Sequence, residues 1–284
     1  MPDSIFADKE VRFSRADGRT LTLPWPDPFY PDIAAVLSKV KPLAYTYLPP
    51  MTPRPFADHA DFFGLEWGLG GEDCLFFSLD RKVLKRALAL HDDASTDSEA
   101  ALQALLGYPA CCVDFHSRHA DPLARRDLIG RIFEGTKPSF LMNTVLNTTG
   151  RSERLEVFRG NIKKLHVLPW HPCSADCGPS KTAAARIWRT MRTLHPGLAA
   201  RMKDALAKPV LYYNDRECAF LDGNPYSRIL YDDMILEESA KRLLRDGDAL
   251  ALGKDEIVVS AGGRRLGTIA CRDPLLIYFQ TAVD

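Results

Sequence analysis

The residues whose types and spacing are suited to chemistry are four cysteines in two proline-marked motifs. The first is Gly107-Tyr108-Pro109-Ala110-Cys111-Cys112-Val113-Asp114-Phe115-His116, and the second is His171-Pro172-Cys173-Ser174-Ala175-Asp176-Cys177-Gly178-Pro179-Ser180. Glycine suits the end of one helix and proline the first turn of the next, so Cys111 and Cys112 are expected in a helix's first turn. Unpaired backbone N–H groups and the helix dipole favour negative charge there. They stabilise a thiolate, the form that binds metal or attacks electrophiles. Cys112, His116 and His119 follow at i, i+4 and i+7 on one helical face, an arrangement that also admits zinc or non-haem iron. The plain reading of the same residues is a small apolar thiol at a helix contact with two histidines in water.

In the second motif Cys173 and Cys177 are one helical turn apart. Two sulfurs at this spacing converge if the segment turns, and the flanking prolines restrict that turn. A following helix that starts near Pro179 or Ser180 would aim its N–H groups at Cys177. No third cysteine stands two residues beyond the second, which excludes a radical S-adenosylmethionine enzyme.

Taken together, Cys111, Cys112, Cys173 and Cys177 can complete one metal centre. The expected cofactor is an iron–sulfur cluster of the [4Fe–4S] type. Zinc, which more often uses Cys-x-x-Cys knuckles, is the alternative. His171, His116 and Asp176 lie close enough in sequence to a thiol to be candidate catalytic or proton-transferring groups. The leading expectation is an enzyme acting on a small molecule, or with an electron-transfer partner, by redox or Lewis-acid and sulfur chemistry. Two alternatives stand beside it: a non-catalytic protein stapled by zinc or a disulfide, and a metal-free thiol redox enzyme in which Cys111 or Cys112 attacks. Cys74, Cys218 and Cys271 each sit singly in strand-like runs and are read as small apolar residues.

The pairing of Gly-Tyr-Pro-x-Cys-Cys with His-x-Pro-Cys-x-x-x-Cys-x-Pro-Ser resembles the archaeal and bacterial proteins grouped as domain of unknown function 483. That resemblance covers Gly107–Cys112 and His171–Ser180, implies a common site, and brings no activity with it.

Composition excludes several other classes. Of 284 residues 46% are hydrophobic and 26% charged, which is enough apolar mass for a sizeable core. Lys+Arg and Asp+Glu balance at 37 each, so no net field recruits nucleic acid or an anionic membrane. The stretch MPDSIFADKE lacks the basic and apolar regions of a signal peptide, and no apolar run is long enough to span a bilayer, so a cytoplasmic location is expected. Seven cysteines in such a chain are better explained by metal or thiol chemistry than by a disulfide framework. Nucleotide-binding, serine-hydrolase and zinc-protease fingerprints are missing from the sequence.

The elements that must position the motifs are β-rich at both ends of the chain and helical between. Residues 11–23 alternate around Asp17-Gly18 and predict a hairpin, followed by a short helix at Ile33–Val40. The proline-dense stretch Pro49–Pro55 predicts neither helix nor central strand. Leu65–Leu69 and Cys74–Leu79 predict a second hairpin, and Arg81–Leu90 and Ser98–Leu106 helices. His166–Leu168 begins as a strand-like run. Thr182–Leu194 predicts an amphipathic helix with Ile187, Met191 and Leu194 inward and Arg186, Arg189 and Arg192 elsewhere. Strands at Val210–Tyr213, Cys218–Leu221 and Ile229–Tyr231, a helix near Glu237–Arg245, and a hairpin of Ile257–Val259 with Leu266–Ala270 complete an α+β fold. The organisation expected is a β-rich segment 1–80, a helical segment 81–208 carrying both cysteine motifs, and a mixed segment 209–284, forming one compact unit.

Overall fold

The computed structural model describes residues 10–24, 27, 29–47, 54–71, 74–93, 95–119, 125–133, 135–145, 165–214, 217–221, 229–230 and 238–281. The first hairpin joins β1 (Glu10–Ser14) to β2 (Thr20–Pro24) in antiparallel register. Val11 and Phe13 point inward while Glu10, Arg12 and Ser14 face out, the period-two pattern of a half-buried strand. After helix α1 (Tyr30–Leu37), strand β3 (Leu43–Tyr47), helix α2 (Arg54–Phe63), and strands β4 (Glu66–Gly70) and β5 (Cys74–Ser78) follow. β5 lies between β3 and β4 in an antiparallel sheet, and all five of its residues are buried, which is why Cys-Leu-Phe-Phe-Ser shows no alternation.

The proline-dense stretch departs from expectation at its end. Arg54 and Pro55 begin α2, where proline is tolerated because the first-turn N–H groups have no intrahelical acceptor. Pro49–Pro53 lie outside the described residues.

Helices α3 (Arg81–Asp92) and α4 (Thr96–Leu105) follow, capped by Asp80 accepting from the Lys82 N–H and by Ser95 accepting from the Ser98 N–H. Gly107, with φ of +73°, turns the chain out of α4, since a left-handed conformation ends a helix at little cost only for glycine. Helix α5 (Ala110–His119) then carries the first cysteine motif and is followed by α6 (Arg125–Phe133). Residues 165–170 are all buried but form no strand. They read as strand-like because buried irregular backbone and a buried strand share the same apolar composition. Helix α7 (Gly178–Leu194) is amphipathic as expected: Ile187, Trp188 and Met191 are buried and Arg186, Arg189 and Arg192 exposed. The next helix, α8 (Pro196–Leu206), is capped by His195 Nδ1 accepting from the Leu198 N–H.

The chain ends in strands β6 (Val210–Asn214), β7 (Glu217–Phe220) and β8 (Ile229–Leu230), helix α9 (Glu238–Asp246), the meander β9 (Ala249–Leu252), β10 (Glu256–Ala261), β11 (Arg264–Ala270), and strand β12 (Leu275–Ile277). Two antiparallel sheets result, ordered β12-β6-β7-β8 and β11-β10-β9. Strands at both ends around a helical middle make the fold α+β. The largest core gathers Val11 and Phe13 from the first hairpin, α1, Phe140–Met142, Leu165–Leu168, the inner faces of α7 and α8, and Phe279. Cys112 and Cys177 belong to that same cluster, so both cysteine motifs are anchored in the main core. Among the described residues no helix is long and apolar enough to cross a membrane.

Candidate metal centre

Two segments bring the four cysteines together: the first turn of α5 and the loop that leads into α7. Pro109 accepts from the N–H groups of Cys112 and Val113, which closes the first turn of α5 around Cys111 and Cys112. The loop before α7 is held by the Ala175 N–H donating to the Ile132 carbonyl of α6, and by the Cys177 N–H donating to the Ser174 carbonyl. Cys177 itself is the residue before α7, with Pro179 in that helix's first turn, so the N–H groups at its start lie beside the sulfur.

The sulfur atoms of Cys111, Cys112, Cys173 and Cys177 all lie within 4.8 Å of one another. Cys177 Sγ stands 3.7 Å from Cys111 Sγ and 3.7 Å from Cys112 Sγ. The two motifs, some sixty-five positions apart in sequence (|i−j| 65 and 66), meet as the sequence required for a shared centre. Cys112 and Cys177 are buried, Cys173 is half-buried and Cys111 is exposed.

Electrostatics differ among the sulfurs. Burial pushes the Cys112 thiol up to about 11, against hydrogen bonds from the Ser180 hydroxyl and the Cys173 N–H that favour its anion. Burial raises Cys173 further still, helped by hydrogen bonding and repulsion within the cluster. Burial also opposes the Cys177 anion, yet hydrogen bonds from the Ser180 hydroxyl and N–H, and from Cys173 and Cys111, outweigh it and hold this thiol below its ordinary value. The Cys177 sulfur is thus the one whose anion the surrounding donors favour most. A cation bound there would be held by thiolates, since a metal-bound cysteine is deprotonated.

Support for the cluster comes from side chains that the sequence did not single out. Ser180, fully buried, has its hydroxyl 3.4 Å from Cys112 Sγ and accepts a hydrogen bond from Trp170 Nε1 at 3.1 Å. Trp170 packs edge-on against Tyr108 at 5.9 Å, and Tyr108 lies under the Lys41 ammonium, 5.2 Å from nitrogen to ring centre. Lys41 is itself buried in an ion pair with Asp32 of α1 at 3.2 Å. A serine in a helix's first turn and a tryptophan after a proline are ordinary in sequence. Only the contact between them reveals the role.

The three candidate proton-transferring residues take separate places. His116 Nε2 donates to the His171 carbonyl at 2.8 Å, which ties α5 to the backbone two residues before Cys173. His171 turns its ring to Thr144, with Nδ1 3.0 Å from Oγ1. Asp176 is exposed and paired with Lys181 at 2.6 Å. The alternative face of Cys112, His116 and His119 does not converge, because His119 Nδ1 donates to the Phe115 carbonyl one turn back and the clustered ligand atoms are the four sulfurs. Cys74 is buried in β5 as a small apolar residue; Cys271 is half-buried just beyond β11; the surroundings of Cys218 in β7 lie outside the described residues.

The donor set fits a metal. Four sulfurs gathered from two segments, two of the sulfurs in the core, offer the charge and softness that thiophilic cations prefer. Compared with known proteins, the chain matches no family model, no curated protein and no solved structure.

Proposed function

We propose that this protein is a metalloprotein in which Cys111, Cys112, Cys173 and Cys177 bind one tetrahedral zinc ion, which locks α5 to the loop preceding α7. The observation that carries this reading is the sulfur spacing. A tetrahedron with zinc–sulfur bonds of about 2.3 Å has edges of about 3.8 Å. Cys177 stands 3.7 Å from each of two partners, and every pair lies within 4.8 Å. In the [4Fe–4S] cluster expected from the sequence, each cysteine sulfur caps a different corner iron, so the ligand sulfurs stand roughly 6 Å apart. The spacing favours one ion over a cluster.

Four protein ligands close a zinc shell, and a closed shell is the signature of a structural rather than a hydrolytic site. Bound there, zinc supplies cross-linking and charge neutralisation. The chain's own residues do the rest: Ser180 and the Cys173 N–H hydrogen-bond the Cys112 sulfur, and His116 fixes the backbone leading to Cys173.

The test is metal, iron and acid-labile sulfide analysis after anaerobic purification. The expected result is one zinc per chain, colourless protein and no sulfide. Brown protein with about four irons and four sulfides would overturn the zinc reading and restore the cluster. Cys173→Ser should abolish metal loading while leaving most secondary structure intact, whereas Cys74→Ser should keep full loading and cost on the order of 1–3 kcal/mol for a poorly satisfied buried hydroxyl.

A further inference from the structure

The four sulfurs are not equivalent in access. Cys112 and Cys177 are 1% and 6% exposed and sit in the main core, and Cys173 is half-buried. Cys111 alone of the four is an exposed residue. It sits on the first turn of α5, beside the exposed Ala110 and Asp114. Hydrogen bonding is uneven in the same direction: the Ser180 hydroxyl reaches Cys112, and the Ser180 N–H reaches Cys177. Hydrogen bonds to a sulfur withdraw electron density and damp its nucleophilicity, so the two buried sulfurs are both shielded and quenched.

We infer that Cys111 is an alkyl-acceptor site: its exposed thiolate takes an alkyl group from small, soft carbon electrophiles while the other three cysteines hold the centre. This rests on the shared metal centre proposed above, which keeps Cys111 unprotonated. In the transfer, a lone pair on the Cys111 sulfur forms the sulfur–carbon bond as the bond from that carbon to its leaving group breaks. The leaving group departs with the electron pair, and no proton, oxidant or reductant is consumed. The thiolate becomes a neutral thioether, so the four-sulfur set loses one negative charge. Displacement at saturated carbon needs an open approach to the sulfur in line with the leaving group, and of the four Cys111 is the residue most open to solvent. Substrates of this class are unhindered, with a methyl or methylene carbon bearing a good leaving group.

The experiment uses the full-length chain loaded with zinc, its metal content measured first, and one molar equivalent of iodoacetamide as probe. Fragment-ion mass spectrometry then assigns the label between the adjacent Cys111 and Cys112. Cys111 is expected to be carbamidomethylated at least about tenfold faster than Cys112, Cys173, Cys177 or Cys271, and Cys111→Ser to lose the fast phase. Faster labelling of any other cysteine in the loaded protein, or a fast phase that survives in Cys111→Ser, overturns the inference alone. A chain that takes up neither zinc nor cobalt overturns the reading beneath it, and the metal measurement separates that failure before any label is added. Should Cys111→Ser not fold, labelling order in the wild-type chain, with methyl iodide as a second probe, decides the matter by itself.

Discussion

Replacing Ser180 by alanine tests whether the contacts around the sulfurs hold the centre or merely surround it. The hydroxyl is fully buried, accepts from Trp170 Nε1 at 3.1 Å and lies 3.4 Å from Cys112 Sγ. Alanine removes one oxygen and leaves an indole N–H in the core without its acceptor, which costs about 1–3 kcal/mol whether or not metal is present. The same change strips a donor from Cys112, and loss of such a partner typically weakens metal binding roughly 10–100-fold. At about 1.4 kcal/mol per tenfold, the metal-dependent part is then about 1.4–2.8 kcal/mol. Two assays separate these effects. Denaturant unfolding of the metal-free protein reads the first, and zinc competition against a chelator of known affinity reads the second. A Ser180→Ala protein with wild-type zinc affinity would show that the hydroxyl serves only Trp170 and that its approach to Cys112 is incidental. Unchanged stability in both forms would refute the whole chain of contacts from Tyr108 to Cys112.

Two further outcomes are expected from the surrounding scaffold. Lys41 is buried, and although burial alone would lower its pKa, Tyr108 and Asp32 raise it above the ordinary lysine value. A raised folded-state pKa means that the pair's contribution is fully present below the unfolded value near 10.5 and is lost as pH climbs through the folded one, so denaturant stability should stay level from pH 7 to about 9 and fall only above about 10.5 in a way that Lys41→Met abolishes. Gly107→Ala should be costlier than Gly18→Ala in thermal melts. Both positions are left-handed, at +73° and +84°, but a Cβ at 107 meets Pro42 Cδ at 2.8 Å and the Val40 carbonyl at 3.1 Å, whereas at 18 it meets nothing within 4 Å. The strain common to both is about 1–2 kcal/mol, and the excess at 107 should appear as a displaced α5 and weaker zinc binding.

What the residues determined by themselves is the local chemistry. Asp17-Gly18 between alternating runs makes a hairpin in almost any context, and β1 pairs with β2 around it. Gly107 and Pro109 stop one helix and start another, so Cys111 and Cys112 had to enter at a helix's first turn. The spacing of Ile187 and Met191 determined the buried face of α7. Four thiols in two rigid motifs also determined that any shared centre would be sulfur-ligated.

Tertiary structure decided the rest, because the remaining information lies in distances between segments far apart in the chain. Residues 165–170 are as apolar as a strand, and packing against other elements, not periodicity, made them irregular. His116 and His119 share a helical face with Cys112, yet a carbonyl two residues before Cys173 captured one and a carbonyl one turn back captured the other. Ser180 and Trp170 carry no signal until they meet beside Cys112. The four cysteines were legible as candidates for one shared centre, but only the packing of α5 against the loop before α7 brings Cys177 Sγ to 3.7 Å from the sulfurs of Cys111 and Cys112.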